Sequence, residues 1–321
     1  MQELVVIGGG FAGLWAAAAA ARRLDELRVR PDAIRVTLIN RDAWHVIRVR
    51  TYEQDLSDVR VPLDDLLQPI GVRLVLGEVH AIDAPRREVH LDAGTVIRFD
   101  RLVLASGSAL HLPDLPGLAA HAFHVDTFEA ASRLNNHIKS LGSRSSSDAR
   151  DNVVVVGAGL TGIEVACEMP DKLAAAGIRA GRVTLVDALP HVGSDMGDEA
   201  RPVIERALHE LGIKIRTGVR IVAIDAEGVT LADGERIPTQ TFIWSAGMRA
   251  SPLARMVPGH RDPLGRLRVD PFMRVESVPH VFAAGDVAAA NLDGVHTSVM
   301  SCQHGRPMGR FAGHNAVGDL L

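Results

Sequence analysis

Three glycines near the start of the chain, Gly8, Gly10 and Gly13, have the spacing G-x-G-x-x-G. They follow the apolar run at 4–7 and precede the alanines at 16–21, so the motif lies between a predicted strand and a predicted helix. In such a motif the first glycine allows a tight turn, the second lets a pyrophosphate approach the backbone, and the third lets the helix pack on the strand. The free N–H groups at the start of the helix then bind the phosphates. The sequence therefore predicts a dinucleotide site here.

The same pattern recurs at Gly157, Gly159 and Gly162, after a run of four valines. Each copy is followed by a second apolar strand, residues 35–40 in the first copy and 182–187 in the second. One match could arise by chance, but two in register indicate a duplicated βαβ unit. We therefore expect the chain to bind two dinucleotides.

The two second strands end in different polar residues, Asn40 and Asp187. An acid at this strand end binds the ribose hydroxyls and repels a 2′-phosphate. Because Asp187 is followed by Ala188, Leu189 and Pro190, with no arginine to hold such a phosphate, the second copy is predicted to prefer a dinucleotide without a 2′-phosphate. Asn40 carries no charge, but its amide can still donate and accept hydrogen bonds.

Two further apolar strands end in small residues that would let a ligand lie close to the backbone. One ends at Ala105, Ser106 and Gly107, and the other ends at Ala246 and Gly247. These strand ends are therefore candidates for the walls of the two dinucleotide sites.

A last apolar strand runs into Gly285 and Asp286. An aspartate at such a strand end is a candidate anchor for ligand hydroxyls, or else the N-cap of a helix. Because the two glycine motifs require an anchor elsewhere in the chain, the ligand role is favoured.

The composition is that of a globular protein with aliphatic cores. The length of 321 residues suggests two domains of ordinary size, and 47% of the residues are hydrophobic but only 4% aromatic. The net charge of -4 gives no indication of nucleic-acid binding. Two cysteines, Cys167 and Cys302, form neither a disulfide framework nor a metal-binding pattern, which fits a reducing cytosol.

The alanine-rich N-terminus does not have the pattern of a signal peptide. It lacks a positively charged n-region, and glycines interrupt the stretch that should be apolar. No stretch reaches ~18 uninterrupted apolar residues, so a membrane-spanning helix is not expected. These features predict a cytoplasmic protein.

Together the motifs resemble those of flavoproteins with two dinucleotide-binding domains, the pyridine nucleotide:disulfide oxidoreductase superfamily. Within it, the chain is most similar to the type II NADH dehydrogenase branch. The resemblance covers essentially the whole chain and rests on residues 8–13, 104–108, 157–164, 243–247 and 282–288.

The resemblance implies an α/β fold with two Rossmann-like three-layer domains. An NAD(P)H-binding domain at 110–239 would be inserted into a discontinuous FAD-binding domain formed by 1–109 and 240–321. The first glycine motif and Asp286 would hold FAD, and the second motif would hold NADH. The candidate cofactor-binding residues are Gly8, Gly10, Phe11, Ala12, Gly13, Asn40, Arg41, Arg48, Val79, Ala105, Ser106, Gly107, Gly157, Gly159, Thr161, Gly162, Asp187, Ala246, Gly247, Gly285 and Asp286.

The stretch at 48–53 resembles the Arg-Pro-Leu-Leu-Tyr segment that lies beside the flavin in this branch. Val49 stands where the branch has proline, and Arg50 replaces an apolar residue, so this segment departs from the pattern of the branch at two positions. The surrounding residues 41–70 are polar and irregular. They are either a surface loop with a short helix or a flap over a cofactor.

The disulfide reductases of this superfamily and the sulfide:quinone oxidoreductases use paired cysteines. This chain has no such pair, which separates it from both groups. Cys167 falls on the helix after the second glycine motif, which should bury it. The resemblance places Cys302 and Gln303 at the edge of the flavin ring, near the quinone. One cysteine alone cannot complete a dithiol cycle.

The function implied by the resemblance is an FAD-dependent NADH oxidoreductase. Hydride would pass from the nicotinamide C4 to the flavin N5, and two electrons would then reduce a quinone-like acceptor. Glu164 is the candidate polar residue where the two rings stack, or else a carboxylate placed for the helix dipole.

Two alternatives differ in class from this function. One is a reductase for a redox protein or a small organic substrate, and the other is a low-turnover module that senses redox state by binding flavin and nucleotide. A homodimer is a further possibility. So is peripheral contact with the inner face of the membrane through a C-terminal segment that this sequence lacks.

Overall fold

A computed structural model of the chain describes residues 1–194 and 196–321. The chain divides into two compact units. The first unit comprises residues 1–47, 60–109 and 248–321, and the second comprises residues 48–59 and 110–247.

The helices and strands are numbered here along the chain. Up to residue 110 they are β1 (Gln2–Ile7), α1 (Phe11–Glu26), β2 (Ile34–Asn40), β3 (Trp44–Val46), β4 (Arg60–Pro62), α2 (Leu63–Leu67), β5 (Arg73–Leu76), β6 (Val79–Asp83), β7 (Glu88–Leu91), β8 (Val96–Arg98), β9 (Arg101–Leu104) and β10 (Ser108–Leu110). From residue 111 to 247 they are α3 (Leu118–His121), β11 (Ala122–Phe123), α4 (Phe128–Leu141), β12 (Asn152–Val156), α5 (Leu160–Ala175), β13 (Arg182–Val186), α6 (Arg201–Glu210), β14 (Lys214–Arg216), β15 (Ile221–Asp225), β16 (Gly228–Leu231), β17 (Arg236–Pro238) and β18 (Thr241–Trp244). The last elements are β19 (Met248–Ala250), β20 (Leu267–Val269), β21 (Val281–Ala283), β22 (Ala288–Ala290) and α7 (Cys302–Gly318).

The first unit is built on a five-stranded parallel sheet in the order β21-β9-β1-β2-β5. The apolar residues of β1, from Leu4 to Ile7, are all buried. Such a continuous apolar run is typical of a parallel strand whose two faces are both covered. The three strands β6, β7 and β8 form a separate antiparallel sheet.

Helices α1 and α7 of the first unit pack with their backbones in close contact. A Cβ atom at Gly309 would overlap the carbonyl oxygen of Ala12, and one at Gly313 would overlap that of Ala16. Glycines four residues apart lie on one face of a helix, so α7 presents a flat stripe to the alanines of α1. This contact fixes α7 against the helix that begins at the first glycine motif.

The second unit repeats this architecture. Its parallel sheet has the order β11-β18-β12-β13-β14, and β15, β16 and β17 form an antiparallel sheet of their own. In each unit the strand before the glycine motif lies between the second strand of its βαβ unit and a strand that ends in small residues. The structure therefore confirms an α/β fold with two Rossmann-like domains, one inserted into the other.

The boundaries of the inserted unit differ from those expected. We expected it to end at residue 239, but the structure extends it to Gly247, because β18 pairs with β12 in the centre of the second sheet. Residues 48–59 also belong to the second unit although they lie far from it in sequence. No helix in the part of the chain that the structure describes is both long and apolar enough to cross a bilayer.

Candidate functional site

The first glycine motif forms the turn between β1 and α1. Gly10 is the N-cap of α1, no side chain caps the helix, and its first turn carries no acidic residue. A Cβ atom at Gly10 would meet nothing within 4 Å, whereas one at Gly8 would overlap Ala105 O and one at Gly13 would overlap Gly8 O. The outer glycines therefore close the turn, and space is left at Gly10 where N–H donors of the helix point. This arrangement fits a pyrophosphate.

Asn40 holds the turn of this motif in place. Its Oδ1 accepts a hydrogen bond from the Gly9 N–H at 2.8 Å, and its Nδ2 donates to the Asp42 carbonyl at 2.9 Å. Asn40 therefore orients the glycine turn, and the predicted contact with a ribose would be a second role of this residue. Arg41 is exposed and lies 3.6 Å from the Asp42 carboxylate, while Val79 is half-buried at the start of β6.

His45 also contacts the first motif, and sequence reasoning did not single it out. Its Nδ1 lies 2.8 Å from the Gly9 carbonyl oxygen, and its ring lies perpendicular to that of Phe11 with the centroids 5.0 Å apart. Burial lowers the pKa of His45, so the neutral ring donates to the carbonyl through Nδ1. The signal in the sequence was weak, because His45 is one polar residue in an irregular segment.

Asp286 lies within a short 3-10 turn, Gly285–Val287, whose N-cap is Ala284. The alternative that Asp286 is itself a helix N-cap is therefore wrong. Its Oδ2 accepts a hydrogen bond from the Ser108 hydroxyl at 2.6 Å, which ties the aspartate to the strand after Gly107. Ser108 is a residue that the sequence analysis did not include among the candidates.

Ser106 supplies a second indication of a bound group in the first unit. Its hydroxyl oxygen is buried and has no hydrogen-bond partner among the residues that the structure describes. Buried hydroxyl groups normally have a partner, and leaving one without costs about 1–3 kcal/mol. Ser106 follows Ala105, whose carbonyl packs against Gly8. The residues present therefore fit the phosphate-bearing cofactor that the motif predicts.

The second glycine motif has the same geometry at the start of α5. Gly159 is the N-cap, no side chain caps this helix, and a Cβ atom at Gly159 would meet nothing within 4 Å. Thr161 is exposed beside it. Gly162 packs on the Gly157 carbonyl, and Gly157 itself lies against the backbone of Ala246.

Ser245 and Asp187 complete this second cradle. The Ser245 hydroxyl oxygen is buried and lacks a partner within the described ranges 1–194 and 196–321. Asp187 Oδ2 accepts a hydrogen bond from the Ala158 N–H, and Oδ1 accepts one from the Leu189 N–H at 2.7 Å. Two backbone donors thus orient the carboxylate, and its remaining lone pairs can still accept from ribose hydroxyls. Gly247 is exposed at the end of the neighbouring strand.

Glu164 is the fifth residue of α5, and the first turn of that helix contains no acidic residue. The alternative that Glu164 serves the helix dipole from the first turn is therefore wrong. Its side chain is half-buried, and burial raises the pKa of its carboxyl group. Cys167, on the same helix, is half-buried rather than buried as expected, and burial followed by the charges of Glu168 and Glu164 raises its pKa.

Arg48 and the residues after it lie in the second unit. Arg48 begins a 3-10 turn and forms an ion pair with Asp126, while Arg50 pairs with Glu53 at 2.6 Å. The Arg48 side chain, a candidate for cofactor binding, is therefore held by a carboxylate of its own unit. Within residues 41–70 the structure contains a short helix, α2, and residues 48–59 belong to the second unit. The flap over a cofactor stays a prediction.

Cys302 and Gln303 are the first two residues of α7. Ser301 caps this helix by accepting a hydrogen bond from the His304 N–H at 3.3 Å. Cys302 is half-buried and Gln303 is exposed. Further along the helix, Gly305 packs beside Gly285. A Cβ atom placed on Gly305 would lie 3.7 Å from the Gly285 Cα. The helix thus brings Cys302 and Gln303 to the side of the first unit that carries Asp286.

Comparison with known proteins identifies the class. The chain matches the pyridine nucleotide-disulphide oxidoreductase family over residues 2–309, and it belongs to that family. An NADH dehydrogenase-like protein of Mycobacterium tuberculosis (strain H37Rv) is 55% identical over 325 residues, which cover 100% of this chain and 81% of the relative. A demethylphylloquinone reductase of Synechocystis is 30% identical over 89% of this chain and 72% of its own length.

Solved structures share the fold. An NAD-dependent persulfide reductase from A. fulgidus matches with a TM-score of 0.80 and 21% identity, covering 99% of this chain and 59% of that one. A putidaredoxin reductase in complex with putidaredoxin matches with a TM-score of 0.80 and 22% identity, covering 99% of this chain and 75% of that one. The protein is thus an NADH-dependent flavoprotein oxidoreductase, with FAD and NADH as its cofactors.

Proposed function

We propose that this protein oxidises NADH and reduces a quinone, with FAD held by the first unit and NADH held by the second. The observation that carries the proposal is the repeated cradle. Gly10 and Gly159 each leave space in front of a helix that has no capping side chain and no acidic residue in its first turn. Two such cradles in one chain suit an enzyme that binds two dinucleotides.

The division of cofactors follows from the residues that surround each cradle. In the first unit, Asp286 is fixed by Ser108 at a strand end and can accept from the hydroxyls of a flavin side chain. In the second unit, Asp187 is a charged acceptor oriented by two backbone N–H groups, which suits a ribose with both hydroxyls free. The uncharged Asn40 occupies the same place in the first unit.

Glu164 is proposed to orient the nicotinamide by accepting from its carboxamide. Its half-buried carboxylate lies two residues beyond the last glycine of the motif, on the helix that would hold the pyrophosphate. Bound FAD supplies a ring that accepts hydride and passes electrons to an acceptor. The chain's own residues bind, orient and exclude water around it. Gln303, exposed at the start of α7, is proposed to contact the acceptor.

A quinone acceptor is supported by relatives that are named for quinone reduction. One is the Synechocystis protein, and another is a type II NADH:quinone oxidoreductase of Mycobacterium tuberculosis, 31% identical over 89% of this chain. Peripheral contact with a membrane would follow if the quinone is lipid-soluble. A homodimer is also proposed.

The test is a screen of acceptors on purified, FAD-loaded protein under anaerobic conditions with NADH. Short-chain ubiquinone and menaquinone analogues, an iron–sulfur protein, a disulfide and ferricyanide are each supplied at the same concentration. We expect the quinones to give the highest kcat/KM of the physiological classes. Faster turnover with the iron–sulfur protein or the disulfide would contradict the proposal. Turnover with none of them would favour a redox-sensing module.

A further inference from the structure

Residues 48–59, called the strap here, leave the first unit after residue 47 and return to it at residue 60. Within the second unit the strap is anchored through buried contacts. Thr51 is 2% exposed, and its hydroxyl donates to the Val125 carbonyl at 2.6 Å. Tyr52 and Leu56 are partly buried against the core of that unit. The strap is therefore part of the second unit, although the residues on either side of it belong to the first unit.

Lys172 lies under the strap and is 4% exposed. Its Nζ donates to the Glu53 carbonyl at 3.1 Å and to Asn135 Oδ1 at 2.8 Å. Asn135 Nδ2 in turn lies 3.3 Å from the Glu53 carbonyl oxygen and 3.2 Å from that of Gln54. One side chain from α5 and one from α4 thus bind two consecutive carbonyls of the strap.

A buried ammonium group is costly unless it is paired, and an apolar residue of the same length would fill this space without desolvation. Burial lowers the pKa of Lys172 to about 8, while the charges of Glu168 and Glu53 act in the opposite direction. The neutral amine can still donate to the same acceptors, so the contacts do not depend on the charge alone. What distinguishes lysine from methionine here is the hydrogen bond to the strap.

The strap also lies along the face of α5 that carries Glu164. Residues 164, 168 and 172 are four apart and therefore share one side of the helix. Tyr52 packs against the core of this unit, to which the same helix contributes Val165, Ala166 and Met169. Burial raises the pKa of Tyr52, and the carboxylate of Glu164 acts in the same direction. The strap therefore packs on the helix that carries the carboxylate proposed for the nicotinamide.

We propose that Lys172 is a positioning residue whose hydrogen bond to the Glu53 carbonyl latches the strap, with Tyr52, onto α5, the helix that carries Glu164. The effect on nucleotide binding rests on the proposed function, whereas the latch itself does not.

The experiment compares Lys172→Met with Lys139→Met. Lys139 is exposed on α4 and lines the same small cavity as Lys172, so its removal controls for the loss of a lysine. Both variants are studied as FAD-loaded full chains. Limited trypsin digestion is followed by mass mapping of cleavage after Arg48 and Arg50, which lie within the strap. Cleavage of a locally opened segment follows the population of the open state.

We expect strap cleavage to be about tenfold faster in Lys172→Met, the order of magnitude for losing a hydrogen bond from a charged donor, and unchanged in Lys139→Met. A second variant, Asn135→Leu, should also speed cleavage, because it removes the other donor to the strap carbonyls. Rates within twofold of wild type in both Lys172→Met and Asn135→Leu would overturn the latch.

The second readout is the dissociation constant for NAD⁺, measured by calorimetry. We expect it to rise about fivefold or more in Lys172→Met, and KM for NADH to rise while kcat changes little, as for loss of uniform binding. Faster cleavage with an unchanged NAD⁺ affinity would show that the latch does not position the nucleotide site, and would overturn that part of the proposal. Neither proteolysis nor NAD⁺ binding uses an electron acceptor, so a failed quinone assay would leave both results intact.

Discussion

Asn40 and Asp187 occupy the same position in the two units, and each accepts a hydrogen bond from the backbone N–H of the second residue in its glycine motif. The donor is Gly9 in the first unit and Ala158 in the second. An amide and a carboxylate therefore support the same turn. Because the turn does not need a charge, the charge of Asp187 is available to select the ligand.

Asp187→Asn should keep the fold, since Asn40 shows that an amide supports the turn, and should weaken the preference for NADH. We expect the ratio of kcat/KM for NADH to that for NADPH to fall about tenfold, which corresponds to ~1.4 kcal/mol of lost discrimination. The reciprocal change Asn40→Asp is the control and should leave this ratio unaltered. Equal use of both coenzymes by the wild type would contradict the assignment of Asp187.

Gly10→Ala and Gly159→Ala test which unit holds which cofactor. Both glycines have φ values that alanine adopts readily, -74° and -82°, and a Cβ atom at either would meet no protein atom within 4 Å. The added methyl groups would instead occupy the space proposed for pyrophosphate. We expect Gly10→Ala to be purified with little or no FAD, and Gly159→Ala to retain FAD but to bind NAD⁺ at least tenfold more weakly.

The flavin content is measured by absorbance and by chromatography of the released flavin, and NAD⁺ binding by calorimetry. Gly13→Ala is the contrasting variant, because its Cβ would overlap the Gly8 carbonyl and should prevent folding of the first unit. Loss of FAD from Gly159→Ala with retention in Gly10→Ala would reverse the assignment of the two units. Release of FMN would argue against a dinucleotide flavin.

Cys302→Ser should keep NADH:quinone activity within about threefold, a barrier change below ~1 kcal/mol. Turnover of a disulfide or persulfide needs a resolving thiol. The chain's other cysteine, Cys167, lies on α5 of the second unit, where burial raises its pKa and so disfavours the thiolate. Sulfide should therefore not reduce the flavin. A loss of several hundredfold, or a long-wavelength absorbance band that the serine variant abolishes, would place Cys302 in the catalytic set.

His137 should make the protein more sensitive to acid. Burial, and after it the charge of Arg144, lowers the pKa of His137 from 6.5 to about 4 in the folded state. As the pH falls below 6.5, the unfolded chain binds a proton that the folded chain does not, so stability is lost on acidification. Between pH 7 and pH 5 the loss from this residue is at most about 2 kcal/mol.

The measurement is the thermal midpoint at pH 7 and at pH 5. The difference between the two midpoints should be smaller in His137→Gln than in the wild type, and unchanged in His209→Gln, which alters an exposed histidine of the same unit. An equal acid shift in His137→Gln and the wild type would show that His137 does not contribute.

Much of the fold could be predicted from the sequence because it is encoded locally. The G-x-G-x-x-G spacing and the apolar runs before it specify strand, turn and helix within about 30 residues. The duplication also predicted similar strand ends in the two copies, and the structure places β9 and β18, which end in small residues, at equivalent positions in their sheets. The position of Asp286 after an apolar strand was predictable for the same reason.

The features that sequence analysis missed depend on contacts between distant segments. Nothing local shows that residues 241–247 belong to the inserted unit, because a strand of small and apolar residues would suit either sheet. The roles of Ser108 and His45 likewise arise only when β10 and β3 are brought to Asp286 and Gly9.

The strap has a consequence for any attempt to dissect this protein into fragments. Residues 110–247 form the longer continuous part of the second unit, yet that fragment would lack Thr51, Tyr52 and the carbonyl that Lys172 binds. An excised cassette would expose apolar core surface and leave a buried ammonium with one acceptor fewer. A nucleotide-binding fragment that folds independently should therefore require residues 48–59 to be joined back to it through a designed linker.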